Sequence, residues 1–198
     1  NINEEIKNSV ELLKTNSSNE AETRRKIIDQ ILEKILGWDV LDITFEEKVQ
    51  EDGTTKYADY IIKNANSSIL IEAKRISINF KLPQNTLSKL NSALVKDELG
   101  NAIIQARDYC RKLGIPFAIV TNGDQWIIFP ASRIDGVSFS ESSAIIFHNI
   151  DDVLNKRFNY FHNLLSREGF IDENLKVELI GRSEDQIEIR RLNKIFSG

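Results

Sequence analysis

The run Ile69-Leu70-Ile71-Glu72-Ala73-Lys74 sets how this chain folds. It is almost wholly apolar until a carboxylate and an amine appear two residues apart. A strand apolar on both of its sides is one covered on both faces, so this stretch predicts a central, buried strand. Successive side chains alternate across a strand, so Glu72 and Lys74 leave the same face. The polar run 64–68 before it predicts a turn from another strand over 56–63, which carries Asp59. Two carboxylates and an ammonium therefore converge at the end of an apolar sheet.

The pattern continues outward on both sides. Upstream, Ile43, Phe45, Glu47 and Val49 alternate and predict a strand with those four residues on one side. Glu51-Asp52-Gly53-Thr54 predicts the hairpin that joins it to the next strand. Before it, Ile27, Ile28, Ile31, Leu32, Ile35 and Leu36 form one wide apolar helical face that Gly37 ends. Ile2, Ile6, Val10 and Leu13 predict a shorter opening helix over 2–14. Downstream, a long helix is expected from about Ser88 to Leu113, with Leu90, Leu94, Ala102, Ile103, Ala106 and Cys110 packed. Phe117-Ala118-Ile119-Val120 and Gln125 to Phe129 read as two more strands around an Asn122-Gly123-Asp124 turn. Ala144 to Phe147 reads as an edge strand, Val153 to Leu165 as a helix and Glu184 to Phe196 as a final helix. The fold class expected is α/β: a mixed central β-sheet flanked by helices, with an α-β-β-β-α-β core over 1–150. Residues 151–198 are expected to be a helical extension or a link to a partner.

The 198 residues are 41% hydrophobic and 28% charged, the balance of a globular protein with a substantial core. One cysteine, Cys110, permits no internal disulfide and fits a reducing, cytoplasmic compartment. No apolar run reaches the length of a membrane span, and no signal peptide is evident at Asn1. The missing initiator methionine suggests a processed start or a piece of a longer protein. The net charge of −4 does not announce a nucleic-acid binder, since such affinity rests mainly on Lys and Arg against phosphates. Arg24-Arg25-Lys26, Lys74-Arg75 and Arg111-Lys112 are the local basic clusters that would have to supply it.

Asp59, Glu72 and Lys74 have the chemistry of metal-assisted phosphodiester hydrolysis. Mg²⁺ takes hard oxygen ligands, usually one or two carboxylates completed by water and phosphate oxygens. It polarises the phosphate and helps ionise the attacking water. An adjacent lysine orients that water and stabilises negative charge; as a base it would need a pKa depressed from about 10.4. The competing reading is an exposed ion-pair ladder on a half-solvated sheet.

Several blocks also resemble one family in order. Asn19-Glu20-Ala21-Glu22-Thr23-Arg24, ending in Leu36-Gly37-Trp38-Asp39, resembles the opening helix of the nuclease domain in type I restriction enzyme restriction subunits. Lys56-Tyr57-Ala58-Asp59-Tyr60 and Ile71-Glu72-Ala73-Lys74-Arg75 resemble its two catalytic strands. Gln105-Ala106-Arg107-Asp108-Tyr109 is similar to the Q-x-x-x-Y motif that follows, and Pro116 to Phe129 to the strand pair after it. The resemblance covers about residues 19–130. It implies a PD-(D/E)XK, restriction-endonuclease-like fold that cuts DNA with Mg²⁺, Mn²⁺ being the natural substitute. Asp59 and Glu72 would be metal ligands, the Ala73 carbonyl a third, and Lys74 the catalytic lysine. Ala58 stands where the motif's name has proline.

Such nucleases often add a helical carboxylate, and Glu20 matches that position; Glu22 points away and should be solvated. The alternative for Glu20 is a capping box with Ser17. Gln105 and Tyr109 share a helix face and would touch the DNA backbone or brace the lysine; the alternative is a polar rim. Arg107 and Arg111 also share a face, which reads as solvated. Glu47 lies on the apolar side of its strand and is expected nearer the site than Glu46. His148 and His162 lack neighbours at zinc-ligand spacing, and no nucleotide-binding loop is present. Trp38 and Trp126 read as core. Expected partners are DNA and a motor or specificity subunit, a missing downstream domain, or a second copy. The alternatives are an inactive nuclease-like docking module and an RNA nuclease.

Overall fold

A computed structural model describes residues 1–51, 53–181 and 195 of the chain. Its architecture is α/β: a seven-stranded mixed sheet flanked by helices, as in restriction-endonuclease-like folds. The strands are β1 (Ile43–Glu51), β2 (Thr54–Lys63), β3 (Ser68–Ala73), β4 (Leu87–Lys89), β5 (Phe117–Thr121), β6 (Trp126–Pro130) and β7 (Ser143–Phe147). Their spatial order is β1-β2-β3-β5-β6-β7-β4. Among the described strands only β3 and β5 run parallel. The long helix α3 (Asp97–Leu113) makes the crossover that a parallel pair requires.

The central strands are apolar throughout because both sheet faces are covered. Ile69, Ile71, Phe117, Ile119, Trp126, Ile128, Ile145 and Phe147 belong to one core cluster, and their alternates Leu70, Ala118, Val120, Ile127, Phe129 and Ile146 to the other. The first is roofed by α1 (Ile2–Thr15), by the second helix, and by the helices after residue 151, which contribute Phe161, Leu164 and Phe170. The second is roofed by α3 through Leu99, Ala102, Ile103, Ala106 and Cys110. Burying Leu99 or Ile103 contributes about 1.5–3 kcal/mol each, and the small Ala102 and Ala106 let α3 lie close on the sheet.

The structure corrects the sequence reading at four places. Helix α3 begins at Asp97, not near Ser88. Leu87–Lys89 instead pairs antiparallel with β7 and takes the sheet edge, so β7 is an interior strand. Leu90 and Leu94 are buried, as expected, but from a loop. The Asn91 side chain accepts from the Ala93 amide there, a turn geometry that competes with helix. On β1, Ile43 faces the first core and Val49 the second. The alternation switches faces at Glu46, whose φ of +53 interrupts the ladder between Phe45↔Tyr60 and Glu47↔Ala58. The second helix is capped by Asn19, not Ser17. Asn19 Oδ1 accepts from the Glu22 amide and Glu22 reaches back to the Asn19 amide, completing a capping box. That helix starts as α2 (Glu20–Thr23) and continues as two wide π turns, Arg24–Ile28 and Ile31–Ile35. The helix expected over Glu184 to Phe196 lies outside the described residues, Ile195 apart. Among the described residues no helix is long and apolar enough to cross a membrane.

Candidate active site at the end of β3

The site is built where β2 and β3 part. Their ladder runs from Lys63↔Ser68 to Tyr60↔Ile71 and stops there. The next residue of β2 is Asp59, and its side chain takes over from the backbone: Asp59 Oδ2 accepts the Ala73 amide at 2.7 Å. A buried amide that leaves a ladder must find another acceptor, so this bond fixes the carboxylate against β3. Tyr60 points into the first core while Ala58 points into the second, the same change of face seen opposite at Glu46. Asp59 sits at that twist.

Glu72 projects from the next position of β3 toward the α3 face and is 4% exposed. Its Oε1 contacts Lys74 Nζ at 3.4 Å. Its Oε2 is buried with no hydrogen-bond partner among the described residues. An unpartnered buried carboxylate oxygen is costly. Accordingly Glu72 has its pKa pushed up to about 8, first by burial and then by the charge of Asp59, against the pull of Lys74. The pKa of Asp59 is raised too, by burial, which the Ala73 amide and the Arg24 and Lys74 cations oppose. Lys74 is held beyond the end of β3 by its own amide, which donates to Thr121 O at 2.8 Å. The three side chains expected to converge do so.

Glu20 joins them. Its carboxyl lies within hydrogen-bonding reach of Asp59, and burial and the Asp59 charge both raise its pKa. The capping role weighed for it belongs to Glu22, which also pairs with Lys26 at 3.4 Å. Two contacts hold the helix start over the strand ends. Thr23 Oγ1 accepts the Ile76 amide at 3.1 Å. Gly123, with φ +90, lets the β5–β6 turn rest on the helix: a Cβ there would lie 3.1 Å from Ile27 Cγ2 and 3.2 Å from Thr23 Cγ2. Asn122 and Gln125 in that turn bond Ile78 and Phe80, pinning the segment after Lys74.

Two participants escaped the sequence reading. Arg24, the first residue of the Arg24-Arg25-Lys26 basic cluster, turns inward. Its Nη1 reaches Asp59 Oδ1 at 3.4 Å and Glu46 Oε1 at 3.3 Å, and its Nη2 the Asp59 carbonyl at 3.2 Å. The guanidinium lies 4.8 Å from the centre of the Tyr60 ring, whose hydroxyl donates to Asp29. The second is Glu46, not Glu47: the left-handed backbone at Glu46 directs it to Arg24. The wide helical turn beginning at Arg24 accompanies this inward turn, and a 3.6-residue period does not reveal it.

Gln105 and Tyr109 are joined to each other, Gln105 Nε2 donating to Tyr109 Oη at 2.7 Å. Tyr109 is 1% exposed, so the half-buried Gln105 is the member with a surface. Trp38 and Trp126 are core, as read. His148 Nε2 lies 2.7 Å from Pro83 O. Cys110 is buried, its thiol pushed up far above its usual pKa by burial.

A hard divalent cation usually asks for one or two carboxylates and water. Asp59 and Glu72 offer that donor set, and the orphan Oε2 of Glu72 is the atom a cation would satisfy. The Ala73 carbonyl and Glu20 are the further oxygens expected from the sequence. Among the described residues no group of three or more His, Cys, Asp or Glu is placed to hold a metal ion, so the seat would be a two-carboxylate one. When bound there, the ion would supply Lewis-acid polarisation of a phosphate oxygen.

The fold and site are those of an α/β protein with a carboxylate–lysine centre at the end of its central parallel strand. No protein-family profile matches this chain, and no curated protein matches it at a significant level. A solved structure to which it is similar is a fragment assigned to the HsdR subunit of a type I restriction enzyme from Vibrio vulnificus YJ016. The TM-score is 0.41 and the identity 23%, over 67% of this chain and 23% of that one. The chain thus spans about a quarter of the length of the chain it resembles.

Proposed function

We propose that this chain is a Mg²⁺-dependent DNA endonuclease of PD-(D/E)XK type, the cutting module of a restriction or phage-defence system. The observation that carries the reading is Glu72: a buried carboxylate with one oxygen unpartnered, beside a second carboxylate and an amine. Such an arrangement costs stability unless a ligand uses it, and perturbed groups of this kind gather at functional sites. Asp59 and Glu72 would hold Mg²⁺ or Mn²⁺ directly, with the Ala73 carbonyl as a further oxygen and Glu20 acting on the ion through a bound water. Lys74 would orient water and offset charge at the phosphate. Gln105 would meet the DNA backbone, with Tyr109 setting its position. The order of sequence blocks from Glu20 to Phe129 supports the same reading.

A second reading is a nuclease-like docking module without turnover. The net charge of −4 and the lack of a three-residue metal cage among the described residues favour it. Calorimetric titration with Mn²⁺ separates the two. The nuclease reading expects saturable binding to the wild type that Asp59→Asn and Glu72→Gln each weaken about tenfold or more. Absence of binding, or binding indifferent to both substitutions, would favour the docking module.

A further inference from the structure

A polar cavity lies on the α3 side of the sheet, at the end of β5 remote from the carboxylates. Thr121, the last residue of β5, pairs with Ala73 at the site, whereas Phe117, its first, pairs with Pro130 at the cavity. Four strand steps, roughly 13 Å, separate them. The cavity measures about 330 Å³ and is lined by Arg107, Arg111, Arg133, Ser132, Ser142 and Phe139 among others.

Three guanidiniums around one cavity need a reason, because like charges at close range repel. Among the described residues only one is neutralised by an ion pair. Arg133 forms an ion pair with Asp135 and donates to Ser142 Oγ and to Leu179 O, each at 3.4 Å. Neither Arg107 nor Arg111 forms an ion pair among the described residues. Arg107 is half-buried, with its guanidinium 4.2 Å from the centre of the Phe139 ring. That ring is itself fixed edge-on to Phe129 at 6.1 Å. Burial and then the Arg111 charge lower the Arg107 pKa, against Asp108. Arg111 lies in the last turn of α3, where a cation complements the helix dipole. Arg107, a turn further in, has no such account. A guanidinium stacked on an aromatic ring keeps its edge free for bidentate donation to an oxyanion. The Ser142 hydroxyl is committed, donating to Ser138 O at 3.0 Å. The exposed Ser132 hydroxyl adds a neutral donor at the rim.

We infer that this cavity binds a phosphate-type oxyanion, held by Arg107 and Arg111 with Arg133 as the fixed wall. The carboxylate site plays no part in this binding, so the inference stands whether or not the chain cleaves nucleic acid. The anion has two possible sources, a backbone phosphate of nucleic acid and a free phosphate.

The test is a titration of the full chain with inorganic phosphate, read on the arginine Nε–Hε resonances. Saturable shifts at Arg107 and Arg111 are expected, weakened about tenfold or more in Arg107→Gln and only partly restored in Arg107→Lys, which keeps the charge but not the bidentate fork. A wild type without saturable shifts, or an Arg107→Gln protein that responds like it, overturns the inference. Should Arg107→Gln fail to fold, Arg111→Gln carries the same comparison. A second arm measures single-stranded DNA binding by anisotropy in chelator. If the backbone is the source, Arg107→Gln lowers affinity and cuts the salt slope by about 0.7 for each phosphate the variant leaves unneutralised. Weakened phosphate binding with unchanged DNA affinity assigns the cavity to free phosphate.

Discussion

Glu72→Gln should stabilise the metal-free protein, and only at alkaline pH. The folded chain holds the Glu72 proton with a pKa of about 8, against 4.5 for an unperturbed glutamate. The folded state therefore binds more protons than the unfolded state between those values. Wild-type stability falls as pH rises through that window, by up to tenfold in the folding constant per unit, and levels off above it. The width of the window sets a ceiling of about 5 kcal/mol. Glutamine carries no such charge and removes the share of the slope that Glu72 supplies, but forfeits the 3.4 Å contact with Lys74. The net gain expected at pH 8.5 is roughly 1–3 kcal/mol, with little change at pH 5, where the wild-type carboxyl is already protonated. Urea denaturation in chelator at both pH values measures it. Added Mg²⁺ should then stabilise the wild type and not the variant. A variant less stable by the same amount at both pH values would rule this out, for Glu72 would then be a satisfied ion-pair partner.

Two further substitutions probe how the site is held. Arg24→Gln leaves Asp59 and Glu46 without their shared cation and should cost about 2 kcal/mol in urea denaturation at pH 8. A change within about 0.5 kcal/mol, as for an ordinary surface residue, would be at odds with its inward role. Gly123→Ala strains a φ of +90 and presses a methyl on Ile27 and Thr23. It should cost about 1–3 kcal/mol, seen as a melting temperature several degrees lower. An unchanged melting curve would mean the turn does not bear on the helix.

The sheet was legible because its strands are covered on both faces, and unbroken apolar runs such as Ile69-Leu70-Ile71 have few other readings. The trio of Asp59, Glu72 and Lys74 was legible for the same reason: charges next to such a run stand out. The start of α3 was not, because Leu90 and Leu94 fit a helical period while being buried from a loop. Pairing of Leu87–Lys89 with β7 is a long-range choice that no local pattern announces. Glu46 and Arg24 escaped notice for a related cause. Strict alternation and a strict helical period assign faces, and both rules fail where a left-handed residue or a wide turn re-aims the chain. Glu20 was placed at the site by resemblance, and the structure supplies the reason it is free for it: Asn19 and Glu22 have taken the cap.

If Asp59, Glu72 and Lys74 act together on a nucleic-acid phosphate, the amine of Lys74 is indispensable to cleavage. The decisive experiment incubates the purified chain and its Lys74→Ala variant with supercoiled plasmid, in Mg²⁺ or Mn²⁺ and in chelator. Metal-dependent nicking or linearisation by the wild type is expected, reduced at least about a hundredfold in a Lys74→Ala protein that melts normally. Equal degradation by both proteins, or none by the wild type with either metal, would overturn the assignment.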